Sequence, residues 1–227
     1  MTVAAAFKHS ASLLTRARAA APSIVIVLGL GVCPTPASAA EITLVAFGDS
    51  LTAGYGVDAG ASFPVRLEAA LRARGHEVKV INAGVSGDTS AAGLARLDWA
   101  IGPEADAVIV ELGANDALRG LAPSETRANL DAIVGGIAAN GLPVLVAGML
   151  APRNLGAEYA AEFDPLFAEV AARHGAAFYP FFLDGVATVS ALNQRDGMHP
   201  NADGVDVIVE RMLPSVEGLI AAVEDAG

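Results

Sequence analysis

A serine near the start of the chain, together with a histidine and an aspartate near its end, could carry out nucleophilic catalysis. Ser50 lies in the segment 47–51 (FGDSL), directly after the apolar run 42–46 (ITLVA). A serine hydroxyl is a weak nucleophile and needs an adjacent base. His199 could be that base, and Asp196, three residues earlier, could fix its tautomer and stabilise the imidazolium. Each pattern alone also has a structural explanation, since Ser50 could cap a helix and the Asp-x-x-His segment could be a capping turn.

Two residues that follow other apolar runs, Gly84 and Asn115, could donate hydrogen bonds to a developing oxyanion. Glycine lacks a Cβ, so the Gly84 backbone N–H could approach a substrate closely. The Asn115 side-chain amide could be a second donor and the Ser50 N–H a third, and such donors stabilise the charge on a carbonyl oxygen. Taken singly, Gly84 and Asn115 are also ordinary turn residues. We expect Asp49 and Asp116 to shape their own turns.

Alternating strand and helix patterns predict an α/β fold. Short, nearly continuous apolar runs are typical of strands buried on both faces, and they lie at 42–47, 77–82, 106–112, 143–148 and 176–181. Helical patterns lie between and after them, near 63–74, 90–101, 124–139, 158–174 and 202–224. The alternation predicts a five-stranded parallel sheet with helices on both faces, in a flavodoxin-like three-layer αβα sandwich.

This fold would bring the candidate residues to one edge of the sheet. Ser50, Gly84 and Asn115 follow three consecutive predicted strands, and ligands of open α/β sheets bind at the carboxyl ends of the strands. His199 comes shortly before the last predicted helix. We therefore expect a nucleophile, its base and an oxyanion site to face one cavity.

Apolar side chains in the loops at this edge could line a groove for an acyl chain or an aryl group. Long loops in a compact domain are usually functional, and the segments 149–160 and 182–198 are the longest irregular stretches. The predicted substrate contacts are four residues that follow the third and fourth strands: Leu118, Leu121, Leu155 and Tyr159. The alternative is that these side chains belong to the ordinary core.

The first forty residues have the three parts of a secretory signal peptide. A start with three positive charges is followed by the apolar run 24–32 and by small residues suited to cleavage after Ala39 or Ala40. A short membrane anchor is the alternative, but the run is shorter than the roughly 20 residues that a spanning helix needs. We expect residues 1–40 to be a signal peptide, residues 41–227 to be the mature domain, and the protein to be periplasmic or secreted.

Composition argues against several kinds of partner and site. Removing the three basic residues of the leader from the 14 in the chain leaves 11 against 25 acidic residues, a net charge near −14. Such a surface repels nucleic acid and anionic lipid headgroups. The only cysteine, Cys33, lies in the leader, where it could also carry a lipid. Since no residues have metal-ligand spacing and no glycine motif for phosphate or dinucleotides is complete, we expect no metal and no cofactor.

Taken together, these residues indicate a protein family more specifically than any one of them does alone. Four segments, AFGDSLTAGYG, NAGVSGDTSAAGLARL, VELGANDALRG and DGMHPN, together resemble the SGNH hydrolases, also called the GDSL family. They are similar to the branch of that family that contains periplasmic acyl-CoA thioesterases, arylesterases and lysophospholipases. One visible departure is Ala114, where that branch often has glycine.

The resemblance implies a role for each candidate residue. Ser50 would be the nucleophile, His199 its base and Asp196 the acid that orients the base. The oxyanion hole would consist of the Ser50 and Gly84 N–H groups and the Asn115 amide. The implied function is hydrolysis of small-molecule carboxylic esters or thioesters through an acyl-enzyme. A carbohydrate O-acetyl esterase is the alternative within the superfamily, and a noncatalytic periplasmic binding protein is the alternative of another class.

Overall fold

Five parallel strands form the sheet at the centre of the computed structural model, which describes residues 1, 2, 4 and 41–226. The strands lie side by side in the flavodoxin-like order β2-β1-β3-β4-β5. Their bounds are β1 Ile42–Gly48, β2 Val78–Gly84, β3 Ala107–Glu111, β4 Val144–Ala147 and β5 Ala177–Tyr179. Both ends of every strand lie within two residues of the bounds that the sequence predicts.

Helices cover both faces of this sheet. Over the described residues they are α1 Ser50–Ala53, α2 Phe63–Ala73, α3 Ser90–Ala95, α4 Leu97–Ala100, α5 Ala114–Leu118, α6 Pro123–Ala139, α7 Ala157–Phe163, α8 Leu166–His174 and α9 Ala202–Ala226. Helix α2 packs against α9 on one face, whereas α3 and α8 pack against α6 on the other. The predicted three-layer αβα sandwich is therefore confirmed.

The central strands are apolar because both of their faces are covered. Leu44 and Phe47 of β1 and Val108 of β3 are fully buried, and their neighbours along each strand are nearly so. This is the pattern expected of a parallel sheet between two helical layers. The strand ends of β1, β2 and β3 are also level with one another, since Gly48 pairs with Gly84 on one side and with Glu111 on the other.

Two segments predicted as single helices are each divided in two. The segment 90–101 is interrupted at Arg96, whose backbone leaves the helical conformation between α3 and α4. The segment 158–174 is interrupted at Pro165, which has no N–H to continue the helical ladder of hydrogen bonds. The four-residue helix α1 and the five-residue helix α5 are too short to show a period in the sequence.

Arg96 ties together the strand ends that carry the candidate site. Its side chain is buried, and its two terminal nitrogens donate to the carbonyl oxygens of Ala83 and Gly48 at 2.9 and 2.8 Å. Its Nε donates to Asp88 at 2.6 Å, and the guanidinium lies 4.2 Å from the centroid of the Phe47 ring. One buried cation therefore joins β1, β2 and the turn that follows β2.

The predicted leader lies almost entirely outside the described residues, which include only positions 1, 2 and 4 of it. The signal peptide, its cleavage after Ala39 or Ala40 and any role of Cys33 thus stay predictions. Within the described part of the chain, none of the helices combines the length and apolar character needed to cross a membrane. Over the same residues, no three His, Cys, Asp or Glu side chains are grouped closely enough to hold a metal ion.

Replacing Arg96 with methionine should lower the free energy of unfolding by about 3 kcal/mol, because two main-chain oxygens and the Asp88 carboxylate lose their buried donor. Urea denaturation at neutral pH measures the change. Arg211→Met is the matched control, since Arg211 forms an exposed ion pair with Asp184 and its loss should cost less than about 1 kcal/mol. Equal effects of the two substitutions would contradict the role given to Arg96.

Candidate active site

A tight turn between β1 and α1 presents Ser50. Asp49 caps the helix, because its Oδ1 accepts a hydrogen bond from the Leu51 N–H at 3.0 Å. Ser50 is then the first residue of α1, and its backbone N–H has no acceptor among the described residues. Gly54 ends the helix with a left-handed φ of 82°, a conformation that favours glycine. The N–H of Ser50 is therefore available to a ligand, beside its hydroxyl at the start of the helix.

The loop before α9 holds His199 and Asp196 in one compact turn. One oxygen of Asp196 accepts the backbone N–H groups of Met198 at 2.9 Å and His199 at 3.0 Å. The other oxygen lies 2.7 Å from His199 Nδ1. These backbone donors, of which Met198 contributes most, and the imidazole lower the pKa of Asp196 to about 2. Asp196 is thus ionised at any ordinary pH and favours a proton on Nδ1.

The structure brings the serine and the histidine together. His199 Nε2 lies 3.0 Å from Ser50 Oγ, although the two residues are 149 positions apart. With a proton on Nδ1, the Nε2 atom is the acceptor and can take the hydroxyl proton. Ser50, His199 and Asp196 therefore form a continuous hydrogen-bonded series in which a nucleophile, a base and an orienting carboxylate follow one another.

Two residues that sequence reasoning missed, Tyr55 and Gln194, hold the histidine loop against the serine segment. The Gln194 side chain donates to the carbonyl oxygens of Tyr55 at 2.7 Å and Pro200 at 2.9 Å, and its backbone N–H donates to His199 O at 2.8 Å. The ring of Tyr55 lies 4.7 Å from the imidazole, centroid to centroid. No local pattern marks Gln194, because its partner Tyr55 is 139 residues away.

The side-chain amide of Asn115 lies beside Ser50, at the start of α5. Asn115 Nδ2 donates to Asp49 Oδ2 at 2.9 Å. Since an amide nitrogen carries two hydrogens, one remains for a ligand. Asn115 lines the same cavity as Ser50 and His199. The structure therefore brings Asn115 to the place where the sequence predicts it, and it also shows that Asp49 sets the direction of the amide.

Asp49 and Glu111 form a buried pair of carboxyl groups behind the serine. Asp49 is fully buried, and this burial raises its pKa to about 6, although the hydrogen bonds from Leu51 and Asn115 lower the pKa. Burial also raises the pKa of Glu111 well above its usual value, and the neighbouring charge of Asp49 adds to the rise. Both shifts favour a pair of carboxyl groups that shares one proton, and burial beside the Asp49 charge favours the neutral form of Glu111.

Gly84 does not present its N–H to the cavity, contrary to the prediction. That N–H donates to the side-chain oxygen of Asn82 at 3.0 Å. The absence of a Cβ serves packing instead, because a Cβ there would collide with the Ala53 backbone and lie 2.9 Å from Asp49 O. The role of Gly84 is to let α1 lie close to β2.

A second glycine in the same turn, Gly87, has the features expected of a donor. It lies three residues beyond the end of β2, has a left-handed φ of 89° and is exposed. Its N–H has no partner among the described residues, and its carbonyl oxygen accepts a hydrogen bond from Arg119, directly after α5. The signal in the sequence was present, since two glycines follow the same strand, but spacing alone does not tell which N–H is free.

A cavity of about 680 Å³ opens from Ser50 and His199. Its walls are mainly apolar and come from α5, the loop after β4 and the loop after β5, and they include Leu118, Met149, Leu150, Pro152, Phe181, Leu183 and Met198. Three of these side chains, Leu118, Leu150 and Met198, are also well exposed at its mouth. The site therefore combines a reactive hydroxyl with an apolar groove.

Of the four predicted substrate contacts, only Leu118 lines this cavity. The Tyr159 hydroxyl donates to the carbonyl oxygen of Leu121 at 2.8 Å, and the Tyr159 ring stacks on Phe163. Leu155 packs against the core. Leu121, Leu155 and Tyr159 therefore do not line this cavity, and Tyr159 ties the loop before α6 to α7.

Comparisons with known proteins agree with this geometry. A family model, the GDSL-like Lipase/Acylhydrolase family, matches residues 46–207. Esterase TesA of Pseudomonas aeruginosa is 39% identical over 183 residues, which are 80% of this chain and 91% of TesA. Thioesterase 1/protease 1/lysophospholipase L1 of Escherichia coli is 37% identical over 185 residues, 81% of this chain and 87% of the relative.

A solved structure is similar over the same region. The crystal structure of AlinE4, an SGNH-hydrolase family esterase, is 45% identical and superposes with a TM-score of 0.69, covering 80% of this chain and 98% of AlinE4. The family match extends from β1 into α9 and so includes every residue of the hydrogen-bonded series. The chain belongs to the GDSL-like lipase/acylhydrolase family, the SGNH hydrolases.

Proposed function

We propose that this protein is a serine hydrolase that cleaves carboxylic esters or thioesters through an acyl-enzyme. The observation that carries the proposal is the series Ser50–His199–Asp196, with contacts of 3.0 and 2.7 Å, at the mouth of an apolar cavity. Relatives named as esterase, arylesterase and thioesterase support it. A noncatalytic binding protein would not need a complete series of this kind.

In the proposed mechanism, His199 Nε2 takes the proton of Ser50 Oγ while that oxygen attacks the carbonyl carbon of the substrate. The resulting imidazolium is stabilised by the ionised Asp196. The tetrahedral intermediate collapses as His199 returns the proton to the leaving alcohol or thiol. Water, deprotonated by His199, then attacks the acyl-enzyme; the bond to Ser50 Oγ breaks, and His199 returns the proton to that oxygen as the acid leaves.

The oxyanion hole in this proposal consists of the Ser50 N–H, the free hydrogen of the Asn115 amide and the Gly87 N–H. Gly87 takes the place first given to Gly84, because the Gly84 N–H is already donated to Asn82. Backbone and amide donors of this kind act mainly in the transition state, when the carbonyl oxygen becomes negative.

The groove favours an acyl chain or an aryl group over a sugar. Its apolar lining is mainly leucine, methionine and alanine, and Phe181 is its one aromatic side chain apart from His199. Carbohydrate sites commonly stack sugars on exposed aromatic rings, which argues against the O-acetyl esterase alternative. We further propose that the leader directs the protein to the periplasm or beyond the cell, where such esters would be met.

Replacing Ser50 with alanine should lower the turnover of p-nitrophenyl butyrate by at least about 10⁴-fold, because the nucleophile is lost. Labelling by a fluorophosphonate probe should disappear in the same variant, since the probe reacts with an activated serine. Ser124→Ala is the matched control, as Ser124 is an exposed serine at the start of α6. Substantial turnover by a folded S50A variant would show that Ser50 is not the nucleophile.

Replacing Leu118 with aspartate should reduce kcat/KM for p-nitrophenyl octanoate about tenfold relative to the acetate, since a charge in the groove opposes burial of a long chain. Leu118 is 55% exposed, so the fold should tolerate the change. The control is Val65→Asp, at a similarly exposed position on α2 outside the cavity. If both variants change the octanoate-to-acetate ratio equally, the groove does not bind the chain.

A further inference from the structure

Glu111 is a buried acid that the proposed mechanism does not use. It ends β3, directly beside Gly48 of β1, and only 1% of its surface is exposed. A carboxyl group in the core is costly unless it is hydrogen-bonded or neutral. Its position next to Asp49, one residue before the nucleophile, suggests a reason for keeping it there.

The contacts of Glu111 connect it to the serine turn. Its Oε2 accepts the Thr52 hydroxyl at 2.7 Å and the Asp49 backbone N–H at 3.3 Å. The space for this oxygen exists because residue 48 is glycine, since a Cβ on Gly48 would lie 2.6 Å from Oε2 and collide with Thr52. Glu111 thus contacts both the residue before Ser50 and the third residue of α1.

The other oxygen of Glu111 bears on whether this acid is protonated beside Asp49. Glu111 Oε1 is buried and has no hydrogen-bond partner among the described residues when both carboxyl groups are counted as acceptors. A proton on Glu111 would let the acid donate to the neighbouring Asp49 carboxylate, in line with the lowering effect of the Glu111 side chain on the pKa of Asp49. A neutral acid beside a carboxylate also avoids two adjacent buried charges.

Asp49, which Glu111 holds in place, in turn fixes the positions of the Ser50 backbone and the Asn115 amide. Its Oδ1 receives the Leu51 N–H, which sets the start of α1, and its Oδ2 receives the Asn115 amide. A shift of the Asp49 carboxylate would therefore turn the Asn115 amide and the Ser50 backbone together. These are two of the three donors of the proposed oxyanion hole.

We propose that Glu111 is a positioning residue of the oxyanion hole, which holds Asp49 so that Asp49 can orient the Asn115 amide and the Ser50 N–H. The inference rests on the proposed hydrolase function and extends it to a residue that touches no substrate. Because the oxyanion develops only as Ser50 attacks and is absent from the bound substrate, the loss of Glu111 should act on kcat and leave KM nearly unchanged.

The test compares four variants by kcat and KM for p-nitrophenyl butyrate, with Tm measured by circular dichroism. Glu111→Met removes all polar contacts at similar length and should lower kcat about 10- to 100-fold with KM within about twofold, less than the loss of an entire oxyanion donor. Glu111→Gln keeps an acceptor for Thr52 and a donor for Asp49, so it should restore most of kcat. Thr52→Val, which loosens Glu111 without removing it, should lower kcat several-fold.

Thr126→Val is the matched structural control. Thr126 is also a fully buried threonine that donates to a buried carboxylate, Asp116, at 3.2 Å, but it has no hydrogen bond to Asp49 or Glu111. It should lower Tm and leave kcat unchanged. A purely structural role of Glu111 would give E111M the same pattern as T126V, a lower Tm with normal kcat in the folded protein, and would overturn the inference.

The remaining outcomes separate the two proposals. If E111M fails to fold, the kcat values of E111Q and T52V test the positioning role. A normal kcat in T52V overturns it, and so does a kcat in E111Q that is about 10- to 100-fold below the wild-type value. Wild-type protein without turnover that depends on Ser50 overturns the hydrolase function, and the inference falls with it. Wild-type turnover that depends on Ser50, with unchanged kcat in E111M, overturns the inference alone.

Discussion

The site depends on three strand ends that lie level at one edge of the sheet. Gly48 of β1 pairs with Gly84 of β2 and with Glu111 of β3, so the three strands end in one row. Because the strands are parallel, each continues from this row into a turn that carries one of the candidate donors. Arg96 stabilises this row, since its guanidinium donates hydrogen bonds to main-chain oxygens of both β1 and β2. Disturbing the row would move all of these turns at once.

The parts of the structure that the sequence predicted well are those set by short-range patterns. Strands β1, β3 and β4 are buried between two helical layers and are nearly continuous apolar runs, whereas the edge strands β2 and β5 are partly exposed but still apolar enough to be recognised. Asp196 and His199 are three residues apart, and a single turn is enough to join them. Ser50 follows directly from the end of a strand. The meeting of Ser50 with His199 could be expected only because parallel strands share one carboxyl edge.

The parts that could not be predicted depend on directions and on distant contacts. Gly84 ends β2 and Gly87 follows it by three residues, and only the direction of each N–H distinguishes a packing residue from a candidate donor. Glu111 is part of an apolar strand in the sequence, and its partner Asp49 is 62 residues away. Tyr159 looked suitable for a substrate, but its hydroxyl is occupied by a carbonyl oxygen within the fold. None of these facts has a local signature.

The separation of 149 residues between the serine and its histidine has a consequence for the newly made chain. An alcohol without a base is a poor nucleophile, so a copy that has ordered only its first strands is inert toward acyl compounds. Closing so long a loop costs conformational entropy, which the docking of the Gln194 segment on Tyr55 must offset. The serine therefore gains its base, and with it full reactivity, only when the loop before α9 has docked on the start of the domain.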